Sequence, residues 1–306
     1  MLRLALPNKG RLAEETRELF DDAGLKVQDR GERALSASLG GEFEAIFVRA
    51  QDIPEFVADG AADAGVTGWD LVSESGRSLT DLVDLEFGRC RLVVAARDES
   101  GITALADITG SPRVATPFPR ITRGFFERMA LPVDVVPVSG AAEIAPHLGI
   151  AEIVVDLTTT GSTLRMNGLR EVAMVMESSA RLITSPALAN GSAAAALGNI
   201  VAPAAATSAI AAKSGALSEL VAALTSVVRA RGQRYLMANV PRAALERVKA
   251  VLPGLNGPTV VDVLNGGDLV AVHAVAPASA IYRTIRDLKA LGAEGILVTR
   301  IERLMP

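Results

Sequence analysis

At 306 residues, with a formal net charge of −4, a pI near 5.4 and one cysteine, the chain exceeds a single domain of roughly 100–200 residues and forms no internal disulfide. No run of Lys or Arg follows a phosphate backbone, which excludes nucleic acid as a partner class. The opening "MLRLALPNKGR" moves straight into a strand and a polar turn without the apolar core of a signal peptide, so a cytoplasmic protein is expected.

In chain order, "LRLALP" reads as a strand, and "RLAEETRELFDDAG" as a helix with Leu12, Thr16, Leu19 and Phe20 on one face, stopping at Gly24. "EAIFV" is a further strand, and "DIPEFVADG" and "ADAGVTGWDLV" repeat the alternation. Two apolar runs, "DLVDLEF" and "CRLVVAAR", meet at Gly88, where a second unit begins. Cys90 stands between Arg89 and Arg91, as an activated thiol or, the favoured reading, a plain strand-edge cysteine. The second unit runs through the strand "RVATPF", the helix "ITRGFFERMA", the strand "VDVVPVS", the helix "AAEIAPHLG" and the strand "IVVDLT". This alternation predicts two αβ lobes with parallel sheets covered by helices.

Between Arg181 and Lys213 no residue is charged, a stretch long enough to span a bilayer. Its Ala, Gly, Ser and Pro content gains little from hydrocarbon, so residues 187–215 read as an interdomain linker, flexible or partly helical, and no membrane partner is expected. Beyond it the order is βαββαβ, with a turn at "NGGD" (Asn265 to Asp268): a ferredoxin-like unit with two helices on one face of a four-stranded antiparallel sheet. Its histidine, His273, lies in an apolar strand and reads as packing.

The chemistry concentrates at strand ends. "IVVDLTTTGSTLRMNG" ends a strand at Asp156 and offers Thr158, Thr159, Thr160, Gly161, Ser162 and Thr163 before a helix. Backbone amides, hydroxyls and a helix start suit a phosphate, with Asp156 placed for ribose hydroxyls; a capped Thr-rich turn is the plain alternative. "PNKGRL" puts Lys9, Gly10 and Arg11 at the carboxyl end of the first strand, as phosphate ligands or a solvated turn. Arg49 ends another strand, and "GVTGWDL" brings Gly65, Gly68 and Asp70 to a third.

Together these stretches resemble the ATP phosphoribosyltransferases of histidine biosynthesis, in the long form with a C-terminal regulatory domain. The matching blocks are "PNKGRL", "DIPEFVADGAADAGVTG", "LEFGRCRLVVA", "RVATPFPRIT", "GAAEIAPHLGIAEIVVDLTTTGSTLRMNGLREV" and "LKALGAEGILVTRIERL". The resemblance implies transfer of phosphoribosyl from phosphoribosyl pyrophosphate (PRPP) to N1 of ATP, with Mg²⁺ accompanying the pyrophosphate. It implies two lobes like those of periplasmic solute-binding proteins around a cleft: residues 1–89, completed by about 177–186, and residues 90–176, followed by the linker and a regulatory domain over 216–306. By the family's pattern Lys9, Arg11, Arg49 and Asp156 are catalytic. Residues 158–164, ending at Leu164, cradle the PRPP 5-phosphate, with Asp156 and Glu152 toward the ribose. Lys9, Gly10, Arg11, Arg49, Gly68, Asp70 and Glu143 hold ATP. Histidine as a feedback inhibitor meets Asn239, Leu255 and Thr259, and dimers associate into hexamers. A two-lobed anion sensor shares the same lobes, but the 140–172 block argues against it. The absence of a "DD" run before the turn argues against a base-salvage phosphoribosyltransferase.

Overall fold

The structure, a computed structural model, describes residues 1–28, 35–191, 204–264 and 267–305. It divides into two compact units, Met1–Val221 and Ala222–Pro306.

The first unit holds two sheets. β1 (Leu2–Pro7), α1 (Arg11–Asp22), β2 (Val27–Gln28), β3 (Ser36–Leu39), β4 (Phe43–Val48), α2 (Ile53–Ala58), β5 (Ala64–Gly68), α3 (Trp69–Ser75) and β6 (Thr80–Asp84) build the first lobe. β7 (Cys90–Arg97), β8 (Arg113–Thr116), α4 (Pro119–Arg128), β9 (Asp134–Pro137), β10 (Ile153–Thr158), α5 (Ser162–Met166) and β11 (Leu169–Ser178) build the second, and β12 (Ala180–Thr184) returns to the first. The sheet orders are β2-β3-β4-β1-β5-β12-β6 and β11-β7-β10-β8-β9. β1 is central in the first sheet because Leu4, Ala5 and Leu6 form a continuous apolar run, buried on both faces. α1 buries Ala13, Thr16, Leu19 and Phe20, so Ala13 takes the place expected for Leu12, which is only half-buried.

The predicted parallel sheets are mixed. β1 pairs in parallel with β4 and β5, and β10 with β8, but β7 runs antiparallel to β10 and β11, and β12 antiparallel to β5 and β6. The chain passes between lobes twice as nearly continuous strands, from β6 into β7 and from β11 into β12, with no crossover helix to reset strand direction. The two passages are bonded together: Leu85 N–H donates to Ala180 O and Ala180 N–H to Phe87 O, both at 2.9 Å. Cys90 therefore begins an interior strand rather than an edge strand. The helix expected over 141–149 is a single 3-10 turn, Ala142–Ile144. Pro146 has no N–H to donate, and Ala141 starts the turn at a φ of 49°, so a regular helix does not continue.

Of the segment read as a linker, residues 192–203 lie outside the described residues. On either side are α6 (Pro186–Ala189) and α7 (Ala204–Ala230), so helix extends well past residue 215. α7 contains the one stretch, among the described residues, long and apolar enough to cross a membrane, Ser208–Ala230. Its Leu217, Leu220, Leu224 and Val227 recur at helical spacing and are buried within the protein. Lys213 on the same helix reaches Asp63 at 2.7 Å.

The second unit continues with β13 (Gln233–Pro241), α8 (Leu245–Val251), β14 (Thr259–Asp262), β15 (Leu269–Pro277), α9 (Ile281–Ala290) and β16 (Glu294–Arg300). The sheet order β14-β15-β13-β16, antiparallel throughout, is the ferredoxin-like arrangement. Alternate residues Leu236, Ala238 and Val240 of β13 and Val270 and Val272 of β15 pack with Val248 and Leu288 of the helices. The intervening positions, Tyr235, Met237, Asn239, Ala271 and His273, fall on the opposite face. Asn265 and Gly266 of the expected "NGGD" turn lie outside the described residues.

Candidate functional site

β10 delivers the Thr-rich turn. Ile153, Val154 and Val155 are buried at one end of it, and Thr158 at the other starts the turn. The Thr158 hydroxyl accepts from Gly161 N–H at 2.8 Å, so this side chain closes the turn internally. Gly161 has a φ of 71°, and a Cβ there would stand 3.0 Å from Arg165 Nη1. Arg165 also donates to Thr160 O at 3.1 Å, tying the turn to α5. Leu164 is buried among Val93, Ala95, Ala142, Val154 and Leu169, which leaves only its backbone to the turn. Thr159, Thr160, Ser162 and Thr163 are exposed, and the Thr160 and Ser162 hydroxyls are 2.9 Å apart. α5 is only five residues long, so the turn's anion-binding capacity lies in its amides and hydroxyls more than in a helix dipole.

Asp156, two residues before the turn, is half-buried, and its Oδ1 accepts from Leu157 N–H at 2.7 Å. Burial pushes its pKa up to about 6, and Glu143 adds to the rise by its charge and by accepting the proton of the neutral Asp156. Glu143, read from the sequence as lining the nucleotide side, thus stands beside Asp156. Glu152 does not join them. It precedes the first residue of β10, at the end opposite the turn, and its carboxylate accepts from Arg113 N–H at 2.6 Å.

On the first lobe, Lys9, Gly10 and Arg11 follow β1, Arg49 follows β4 and Gly68 ends β5. These are adjacent parallel strands, and Asn8 N–H donates to Val48 O at 2.9 Å, so the cations share one sheet edge. Lys9, Arg11 and Arg49 are exposed; Arg11 reaches Glu15 at 3.1 Å. Asp70 differs from them. It is buried and accepts from Ser178 Oγ at 2.5 Å, while its own N–H donates back to that oxygen at 3.0 Å. Its carboxylate folds over Gly68, where a Cβ would lie 2.3 Å from Oδ1. Burial raises the Asp70 pKa, with the Ser178 hydroxyl opposing. The carboxylate read as a nucleotide ligand is bonded here to Ser178 of the passage between lobes.

Apart from Cys90 and Thr159, the residues gathered at those passages carry no site role in the sequence reading. A cavity of about 280 Å³ is lined there by Arg89, Arg91, Thr159, Glu177, Ser179 and Arg181, among others. Thr159 brings the turn into this cavity. Arg91 is held by Glu171 through two bonds of 2.6 and 3.0 Å, and Arg181 by Asp81 at 2.8 Å and Asp84 at 3.2 Å. Arg89 donates at 3.4 Å to Glu86 O. The signal was present in "GRCR" and "ESSAR", two polar runs interrupting apolar strands. Cys90, also on the cavity, has its thiol pushed up to about 11, by burial first and by the Asp70 charge second, so the flanking arginines do not activate it.

Residues 49–202 match the family described as "HisG: ATP phosphoribosyltransferase", and residues 230–303 match "HisG, C-terminal domain". The ATP phosphoribosyltransferase of Gemmatimonas aurantiaca is 66% identical over 310 residues, covering 100% of both chains. That of Natronomonas pharaonis is 46% identical over 306 residues, again covering 100% of both. The chain belongs to the ATP phosphoribosyltransferase family. Among solved structures, a chain from the ATP phosphoribosyl transferase (HisG:HisZ) complex of Thermotoga maritima matches with a TM-score of 0.61 and 25% identity, covering 75% of this chain and 99% of that one. This member of the family is the long form, carrying the C-terminal domain, and is a pentosyltransferase of histidine biosynthesis.

In its C-terminal domain, Asn239 and Thr259 lie on the sheet face opposite the core shared with α8 and α9. Asn239 packs over Gly295, where a Cβ would stand 3.3 Å from its Nδ2. Thr259 is in register with His273, whose Nδ1 is 2.7 Å from the Tyr235 hydroxyl. Leu255 is exposed in the segment before β14.

Proposed function

We propose that this transferase joins C1 of PRPP to N1 of the ATP adenine, releasing pyrophosphate and giving N1-(5-phosphoribosyl)-ATP. The reading rests on one observation: a turn of amides and exposed hydroxyls, Thr158 to Leu164, placed two residues after a half-buried carboxylate and meeting an arginine-lined cavity at Thr159. The turn holds the 5-phosphate, and Asp156, ionised above about pH 6, accepts from the ribose hydroxyls. Glu143 supports Asp156 on that side. Lys9, Arg11 and Arg49 hold phosphates from the first lobe, and Gly10 lets the backbone come close, while the room that Gly68 leaves is taken by the Asp70 carboxylate.

As the N1 lone pair forms its bond to C1, the C1–O bond to pyrophosphate breaks and its electron pair leaves with the diphosphate. The sugar carbon becomes oxocarbenium-like, so the protein's task is to align two anionic substrates and neutralise charge growing on the leaving group. Among the described residues no group of three or more His, Cys, Asp or Glu stands ready for a metal ion. Mg²⁺, when bound, would accompany the diphosphate and offset its charge.

We further propose that histidine inhibits through the C-terminal domain at Asn239, Leu255 and Thr259, that dimers assemble into hexamers, and that the enzyme works in the cytoplasm. The test mixes protein, ATP, PRPP, Mg²⁺ and pyrophosphatase and follows the product by absorbance and mass, with and without histidine. Product suppressed by histidine is expected. No product would overturn the transfer reaction, and product indifferent to histidine would overturn the regulatory role.

A further inference from the structure

α3 is attached to both lobes. Val72 is buried in the first-lobe cluster of Ala5, Ile53, Val57 and Ile183, whereas its neighbour Leu71 packs against the second-lobe cluster of Leu92, Phe118, Phe125 and Phe126. At its far end the helix exchanges charged groups with α4. Glu74 Oε1 accepts from Arg120 N–H at 2.9 Å, and Oε2 from Ile121 N–H at 3.0 Å.

α4 needs such a partner. Its N-cap is Phe118, which has no acceptor, and its first helical residue is Pro119, so the first free donors are the amides that Glu74 binds. α3 in turn has no basic residue in its last turn. The Arg120 guanidinium covers Gly76 at its C-terminal end, where a Cβ would lie 2.3 Å from Cζ. An anion from the first lobe thus sits at the positive end of α4, and a cation from the second lobe at the negative end of α3.

We propose that Glu74 and Arg120 form an interlobe clasp, a pair of positioning residues that hold the two lobes at the separation needed to grip both substrates. Neither touches a reacting atom. They act through the lobe separation, and the part of the proposal that concerns substrates rests on the reaction proposed above. Because only the closed arrangement grips both substrates, shifting the population toward open molecules raises the apparent dissociation constant of each by the same factor.

The experiment compares full-length wild type with Glu74→Ala, Glu74→Gln and Arg120→Gln. Without added substrate, hydrogen exchange of Glu74→Ala is expected to quicken at Arg120 and Ile121 and also at the passages, in the amides of Asp70, Leu85 and Ala180. In steady state, KM for ATP and for PRPP is expected to rise about tenfold with kcat within a factor of two. Glu74→Gln, which keeps one acceptor oxygen, is expected to fall midway, at about threefold. Exchange changes confined to the first turn of α4, or a loss of kcat at unchanged KM, would show an ordinary helix cap and overturn the clasp. Should Glu74→Ala fail to fold, Glu74→Gln and Arg120→Gln carry the same comparison. Should the wild type make no product, the exchange measurement still decides the clasp while the reaction falls separately.

Discussion

Along the carboxyl edge of the first sheet, Lys9, Arg11 and Arg49 stand exposed on long side chains, whereas the turn after β10 is fixed by buried Thr158 and Leu164. The cationic edge recognises by charge and tolerates motion, since a guanidinium or ammonium can reach a phosphate from many rotamers. The turn recognises by shape, since its amides point where the backbone points and glycine takes the φ of 71° at residue 161 without the strain a Cβ would add. This difference orders the effects of mutation: geometry fails abruptly, charge fails by degrees. Gly161→Ala is expected to produce the largest loss, about 100- to 1000-fold in kcat/KM for PRPP, because a Cβ strains the left-handed backbone and crowds Arg165. Stability should fall by only about 1 kcal/mol, read by thermal melting, so the loss is in the site and not the fold.

Asp156 sharpens the same comparison, because it belongs to the rigid side yet carries charge. Its pKa of about 6 lies above the ordinary carboxylate value, so between those two values the folded protein binds a proton that the unfolded chain does not. Stability therefore rises as pH falls toward 4 and is lost as pH rises through 6. Asp156→Asn is expected to stabilise the protein at pH 8 by about 1 kcal/mol after allowance for solvent screening, while lowering kcat/KM about 30- to 100-fold. The wild-type rate should also fall below pH 6 as the carboxylate is neutralised, and a pH profile of the variant without that limb would tie the limb to Asp156.

What the sequence could reveal follows from the range of the forces involved. Strand period, the Thr-Gly turn and the βαββαβ order are local patterns, and each is legible in the sequence. The antiparallel course of β7 and β12 is not, because strand direction depends on the route between lobes. Glu152 stands apart from the turn for a metric reason: six steps of about 3.3 Å along β10 put it about 20 Å from Thr158. Glu143 reached Asp156, and Asp70 reached Ser178 across 108 positions, through tertiary packing that no local spacing encodes. Asp70, in the first turn of α3, also shows how a carboxylate just after a strand can bond across the passage between lobes.

On the exposed edge the expected losses are smaller. Arg49→Ala and Lys9→Ala should each raise KM about tenfold, and the penalty should shrink as salt is raised, since an exposed phosphate contact is screened. The salt dependence is what sets this edge apart, because the defect of Gly161→Ala should be nearly the same at any ionic strength.

The smallest effect separates two kinds of phosphate contact at that edge. Arg49 has no ion-pair partner among the described residues and its side chain is exposed, so no described side chain fixes the plane of its guanidinium. An unfixed guanidinium contributes mainly a positive charge, which lysine also supplies, and Arg49→Lys should change KM by about threefold or less. A bidentate grip would instead depend on the planar fork, and lysine would then be nearly as damaging as alanine. Measuring Arg49→Lys beside Arg49→Ala at two salt concentrations distinguishes them. A lysine variant near wild type keeps the edge a matter of charge; one as impaired as alanine, with a defect that salt does not relieve, would move Arg49 to the geometrically fixed side with Gly161.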